Sequence, residues 1–172
     1  MIRALQFVSP ESQGIRSEDV LEFIRLAEEH KINLHSFLMA RGGKTYLLTE
    51  GNPLGWKSFR FDFSEGTLSY ENKRGLKTIT FGMGALKKGK FPETHYYGNQ
   101  CGTPADREFD CLAACEWMEA QALLLRIYIT DTSFGQTIIT FSFKGDEVGI
   151  YASKRAEFFL DDYQGVASGK LK

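Results

Sequence analysis

The feature that most restricts this chain is a hydrophobic period of two that begins near residue 45. Phe59, Phe61 and Phe63 alternate with polar neighbours, and Leu68 and Tyr70 continue after the turn Ser64-Glu65-Gly66. A run over 76–82 follows Asn72-Lys73-Arg74-Gly75. Leu123, Leu125, Ile127 and Ile129 repeat the pattern, then Ile139, Phe141 and Phe143, then Val148 and Ile150, then Phe158 and Leu160. Successive side chains of a strand point to opposite faces, so each set lines one face of a sheet. Phe134-Gly135 and Lys144-Gly145-Asp146-Glu147 supply turns. Strands at about 8–12-residue spacing joined by such turns predict an antiparallel meander, barrel or sandwich.

The N-terminal part has a different period. Residues 17–30 predict a helix: Ser17 is placed to cap it, and Glu18 and Asp19 put negative charge in its first turn. Val20, Phe23, Ile24 and Ala27 form a helical stripe that Leu21 and Leu26 widen. The apolar run 34–40, ahead of Arg41-Gly42-Gly43-Lys44, predicts a strand. Two segments are ambiguous. Residues 84–106 are rich in Gly and Lys and read as loop, with a short strand at His95-Tyr96-Tyr97. Residues 109–121 hold Ala, Leu, Met and Glu, which propensity alone would make helical.

With 172 residues the chain is expected to form one domain, or one with a small appendage. Lys and Arg number 21 against 22 Asp and Glu, a net charge of −1 that argues against nucleic acid or an anionic membrane as partner. No apolar run reaches the roughly 18 residues of a membrane helix. The N-terminus, broken by Gln6, Ser9 and Pro10, lacks the long apolar stretch of a signal peptide, so the expected location is the cytoplasm. The three cysteines, Cys101, Cys111 and Cys115, argue against a disulfide framework. A zinc site would need two ligands beyond Cys111 and Cys115, and the only nearby histidine is His95, so buried thiols are expected and no metal.

Ser9-Pro10-Glu11-Ser12-Gln13-Gly14-Ile15, the helix after it and the run from Leu34-His35-Ser36-Phe37 to Arg41-Gly42-Gly43-Lys44 resemble the N-terminus of β-lactamase-related serine hydrolases. These are the penicillin-binding-protein and class C β-lactamase group. A second stretch resembles the accessory domain that follows the catalytic domain in some members. It comprises Gly43-Lys44-Thr45-Tyr46, Asn52-Pro53-Leu54-Gly55, the strand 59–63, Phe81-Gly82-Met83-Gly84, the Trp117 hairpin and Phe141-Ser142-Phe143. The resemblance implies a lipocalin-like antiparallel domain and turns 109–118 and 122–131 into a hairpin. The two matches meet at Gly43 and Lys44, as if a catalytic domain were missing between them. The expected organisation is a helix and strand over 1–43 and an accessory β domain over 44–172. The expected fold class is α+β, mainly antiparallel β: a lipocalin-like meander barrel or half-barrel with one N-terminal helix.

The resemblance implies a nucleophile in a Ser-x-x-Lys motif, and no serine here has a lysine three residues on. Tyr70-Glu71-Asn72 matches the group's Tyr-x-Asn string but lies at a strand end beside a turn, and Lys44-Thr45 is followed by Tyr46 where the third motif needs glycine. Gly165-Val166-Ala167-Ser168-Gly169 has the wrong spacing for a nucleophile elbow, and Gly82-Met83-Gly84 lacks the third glycine of a dinucleotide loop. His30 suits a helix C-terminus, and His35 reads as a structural hydrogen-bonder. Asp161-Asp162 and Lys87-Lys88 read as solvated surface. The expectation is a non-catalytic accessory domain with no cofactor. The alternative is a small-molecule binding module with a barrel-mouth site at Trp56, His95, Tyr96 and Tyr97, a cluster that otherwise reads as a packed loop. Expected partners are a second copy, through the N-terminal strand or helix, or a separate catalytic domain.

Overall fold

Burial alternates along the chain as the sequence period demands. The computed structural model describes residues 16–30, 43–96, 108–119, 121–131, 135–156 and 160–172. The chain divides into two units, Met1–Met39 and Ala40–Lys172. The described residues of the second unit hold eleven strands: β1 (Thr45–Leu48), β2 (Trp56–Asp62), β3 (Thr67–Asn72), β4 (Gly75–Thr80), β5 (Gly82–Met83), β6 (Lys87–Phe91), β7 (Phe109–Glu119), β8 (Ala122–Ile129), β9 (Gly135–Lys144), β10 (Glu147–Arg155) and β11 (Gly165–Leu171).

They form one mostly antiparallel, nearly closed, barrel-like sheet in the order β4-β3-β2-β1-β11-β10-β9-β8-β7-β5, with β6 also on β7. Among the described strands only β5 runs parallel to its neighbour, Gly82 opposite Ala114. The meander returns on itself where β11 pairs with β1, Tyr46 opposite Leu171. At the seam β4 and β6 approach closely: a Cβ added to Gly89 would stand 3.3 Å from Thr80 Cβ.

The inward row of β2 supplies Phe59, 1% exposed, and Phe61, 5% exposed, while Phe63 is half-buried beyond the strand. Phe141 meets Phe59 and Phe61 with ring centroids 5.1 and 4.9 Å apart. Leu123, Leu125 and Ile127 of β8 and Cys111, Ala113 and Cys115 of β7 fill the facing positions with no exposure at all. Burial of this kind stabilises by roughly 25 cal/mol for each Å² of apolar surface removed from water.

The connections are unequal. Strands β1, β6, β8 and β10 end at one end of the barrel, followed by longer connections in sequence, while 63–66 and 145–146 turn tightly at the other. Gly43 lies at the tight-turn end, where its N–H donates to the Phe61 carbonyl at 2.8 Å.

Helix α1 (Ser17–Glu29) belongs to the first unit. Ser17 is its first helical residue and not its cap; Arg16 holds that position in extended conformation, its guanidinium paired with Asp19 at 2.6 Å. Ala27 is buried along α1, but Phe23, expected in the buried stripe, is exposed, as are Leu21 and Leu26. The strand expected over 34–40 and Phe158 lie outside the described residues.

Three further expectations need correction. Lys87–Phe91 is a strand and not loop, since β7 offers a ladder to it from Lys87 opposite Ala113 to Phe91 opposite Phe109. Thr94–Tyr96 forms a 3-10 turn where a strand was expected. Leu160 is no strand residue: it adopts left-handed geometry, φ 64°, ahead of the 3-10 turn Asp161–Tyr163, and the last strand is β11 instead.

Candidate functional site

The end that gathers the long connections also gathers a buried polar and aromatic cluster. Trp56 opens β2 directly after residues 49–55 and is 2% exposed. Its ring stacks on Tyr70 at 4.2 Å and meets Tyr163 edge-on at 6.2 Å. Tyr70 and Asn72 are inward neighbours two apart on β3, so strand geometry sends both into the barrel.

Glu93, just past β6, is fully buried between them. Its Oε1 accepts hydrogen bonds from Asn72 Nδ2 at 2.7 Å, Tyr163 OH at 3.2 Å and Tyr70 OH at 3.3 Å. The two phenols also share a hydrogen bond, so with one proton each only one of them at a time donates to Oε1 while the other donates to its partner phenol. A buried carboxylate is tolerated only where donors reach it, and Oε1 is reached by Asn72 Nδ2 and by the phenol pair. Tyr163 comes from the turn that follows Leu160, the only described non-glycine residue with positive φ. Non-glycine residues hold such geometry at a cost on the order of 1–3 kcal/mol and only where the surroundings fix it.

Outside this cluster lies a half-exposed layer. Arg74 Nη1 pairs with Asp162 Oδ2 at 2.9 Å, and Tyr96 OH donates to the same oxygen at 3.4 Å. The Asp162 N–H donates back to Tyr96 OH at 3.3 Å. Asp161 pairs with Lys154. Asp161 is exposed, as expected of it, whereas Asp162 is half-buried and paired. Lys87 donates to the Glu65 carbonyl at 3.3 Å.

Of the residues the sequence singled out, Trp56 and Tyr96 reach this one network. His95 sits in the turn Thr94–Tyr96, where only its backbone is described, and Tyr97 lies outside the described residues. Tyr70, Asn72, Glu93, Tyr163, Arg74 and Asp162 went unnoticed as a group. The one available signal was Tyr70-Glu71-Asn72, two inward polar residues in an otherwise apolar row.

Burial, and then the neighbouring Glu93 charge, pushes the Tyr70 phenol well above the ordinary range; burial does the same to Tyr163. Burial also raises Tyr96. These phenols therefore stay protonated donors rather than becoming bases or nucleophiles. Burial pushes the thiols of Cys111 and Cys115 up to about 11 and about 12, which suppresses the reactive thiolate. Among the described residues no group of three or more His, Cys, Asp or Glu could hold a metal ion.

The raised phenols predict an alkaline limit. In the unfolded chain tyrosine titrates near pH 10, about the ordinary value. Above that pH the unfolded state releases two protons, from Tyr70 and Tyr163, that the folded state keeps. Once the pH passes about 10, Tyr70 and Tyr163 together should lower stability by up to roughly 2.7 kcal/mol per pH unit, about 1.36 for each proton, on top of the contribution of Tyr96 and of the Cys111 and Cys115 thiols, whose loss begins lower, at about pH 8.5. Urea midpoints between pH 9 and 11 should show the slope, and Tyr163→Phe should reduce it. Native phenolate absorbance showing all seven tyrosines ionising near pH 10 would contradict the assignment.

Two shallow depressions, of about 440 and 350 Å³, lie on the outer face of the sheet over Ser142, Gly149 and Ser168 and over Ser58, Arg60 and Ser69. No family model, curated protein or solved structure matches the chain.

Proposed function

We propose that the chain is a non-catalytic accessory barrel of the β-lactamase-related, penicillin-binding-protein-like serine hydrolase group, acting beside a catalytic domain supplied by a partner. The observation that carries this reading is the aromatic filling of the barrel. Phe59, Phe61, Phe81 and Phe141 sit with ring centroids 4.9–6.0 Å apart along the axis, where a carrier barrel would hold its ligand. The sequence adds the resemblance of both its segments to that group and the missing Ser-x-x-Lys. The free buried thiols Cys111 and Cys115 suit a reducing compartment such as the cytoplasm. No helix among the described residues is long and apolar enough to cross a membrane.

The test is acylation. Incubation with a fluorescent penicillin and with a fluorophosphonate should leave the intact mass unchanged. A stoichiometric acyl adduct on any serine would overturn the reading. A second reading, a small-molecule binding module, draws on the gathering of Trp56 and Tyr96 at the end with the long connections. It requires Trp56 emission to shift when small apolar ligands are titrated in, whereas a filled barrel leaves that emission unmoved.

A further inference from the structure

The circuit of strands is joined by backbone ladders except at the seam between β4 and β6. Strand β4 is bonded to β3 and β6 to β7, and among the described residues no ladder links the two facing edges. Burial is thin on both sides of that line. Ile79 is the only buried residue of β4 and Phe91 the only one of β6, whereas every second residue of β8 is buried. Strands with few buried apolar side chains, held by few shared backbone bonds, are the ones that part first.

What closes the seam differs along its length. At the tight-turn end the chain runs on from β4 to β6 through residues 81–86. Phe81 N–H donates to the Gly66 carbonyl at 2.7 Å and Gly84 N–H to the Cys115 carbonyl at 2.8 Å, which anchors that segment. Midway, Thr80 packs against Gly89. At the other end two side-chain clasps cross the seam. In the inner one Asn72, the last residue of β3, donates Nδ2 to Glu93 Oε1, just past β6, at 2.7 Å. In the outer one Asp162 Oδ2 accepts from Arg74 Nη1, in the β3–β4 turn, at 2.9 Å and from Tyr96 OH, past β6, at 3.4 Å, so one carboxylate holds both lips. We infer that the seam is a lateral gate: the barrel opens between β4 and β6, with residues 81–86 as hinge and the Glu93 and Asp162 bonds as its clasp. Gly84, at φ 66°, gives the hinge a backbone that other residues hold only under strain. Parting β3 from β4 instead would break a ladder six residue pairs long, whereas parting β4 from β6 breaks side-chain bonds and one close contact.

Cys111 reports on the gate. It is fully buried on the inner face of β7, directly opposite Gly89 of β6. Movement of β4 away from Gly89 uncovers its thiol. The reference is a thiol introduced by Ala152→Cys, at a position 1% exposed on β10, three strands beyond β7 and away from the seam. Alkylation of the full chain by iodoacetamide in native buffer, with each labelled cysteine assigned by peptide mass, is the test. In the Ala152→Cys background Cys111 is expected to react at least about tenfold faster than the introduced thiol, which only global unfolding exposes. Asn72→Ala removes the inner clasp and should raise the Cys111 rate about tenfold further. Arg74→Met loosens the half-exposed outer clasp and should raise it about threefold. Equal rates for the two thiols overturn the inference, because global unfolding alone then exposes both. So does a Cys111 rate that neither Asn72→Ala nor Arg74→Met changes, because the opening would then leave both clasps intact.

Discussion

Glu93→Leu is expected to lower the unfolding free energy by about 2–4 kcal/mol, because it leaves buried neutral donors without their acceptor. The substitution nearly preserves volume, so little of the loss comes from a cavity. It comes from Asn72 Nδ2 and the one phenol proton not engaged between Tyr70 and Tyr163, which lose a shared acceptor in a buried site. Each buried polar group left without a partner costs about 1–3 kcal/mol. The mutual bond between the two phenols survives and keeps the total below the sum. Glu93→Gln keeps an oxygen acceptor and should cost less. Adding Tyr70→Phe and Tyr163→Phe to Glu93→Leu removes the stranded phenol proton together with its partner hydroxyl and should recover part of the loss, a coupling that a mutant cycle in urea measures directly. If Glu93→Leu costs under about 1 kcal/mol, the typical effect of an ordinary substitution, Glu93 does not hold that end of the barrel.

The cluster illustrates what a sequence can reveal and what it hides. The rows of Phe59 and Phe61, of Leu123 to Ile129 and of Ile139 and Phe141 were legible because each strand buries one face, and the period of two is the direct record of that. Strand β11 was not legible. Gly165, Ser168 and Gly169 have poor strand propensity, yet they are small for a structural reason: a Cβ on Gly169 would come within 2.3 Å of the Leu47 carbonyl oxygen where β11 closes onto β1. Strand β6 was hidden by its lysines, which the exposed seam tolerates. Propensity alone would have made β7 helical, and only the resemblance around Trp117 turned it into a strand. At the site, Trp56 and Tyr96 stood out as aromatic residues near glycine-rich or polar segments. Glu93 could not, because its donors are 21, 23 and 70 residues away in sequence. A buried carboxylate is made acceptable by partners that only the fold assembles.

Phe61→Ala should cost about 3–5 kcal/mol, the range for truncating a buried phenylalanine. Phe61 is the junction of the aromatic filling. Its ring lies 4.9 Å from Phe141, 5.3 Å from Phe63, 5.9 Å from Phe59 and 6.0 Å from Phe81. Those rings come from β2 and the turn after it, from β9 and from the junction of β4 and β5, so no single strand can move to fill the space. Loss of transfer free energy therefore adds to a cavity that cannot collapse. Phe63→Ala supplies the internal comparison. Phe63 is half-buried where the chain leaves β2, already partly hydrated, and should lose about 1–2 kcal/mol, nearer the ordinary substitution. Phe61→Ala combined with Phe141→Ala should cost less than the two separately, because neighbours that share a cavity are not additive. For a domain with about 5–15 kcal/mol in total, the Phe61 loss alone is a large fraction of stability and should appear as a fall in both Tm and urea midpoint. Equal small losses for Phe61→Ala and Phe63→Ala would mean that the barrel interior is a fluid apolar filling rather than a fixed set of interlocked rings.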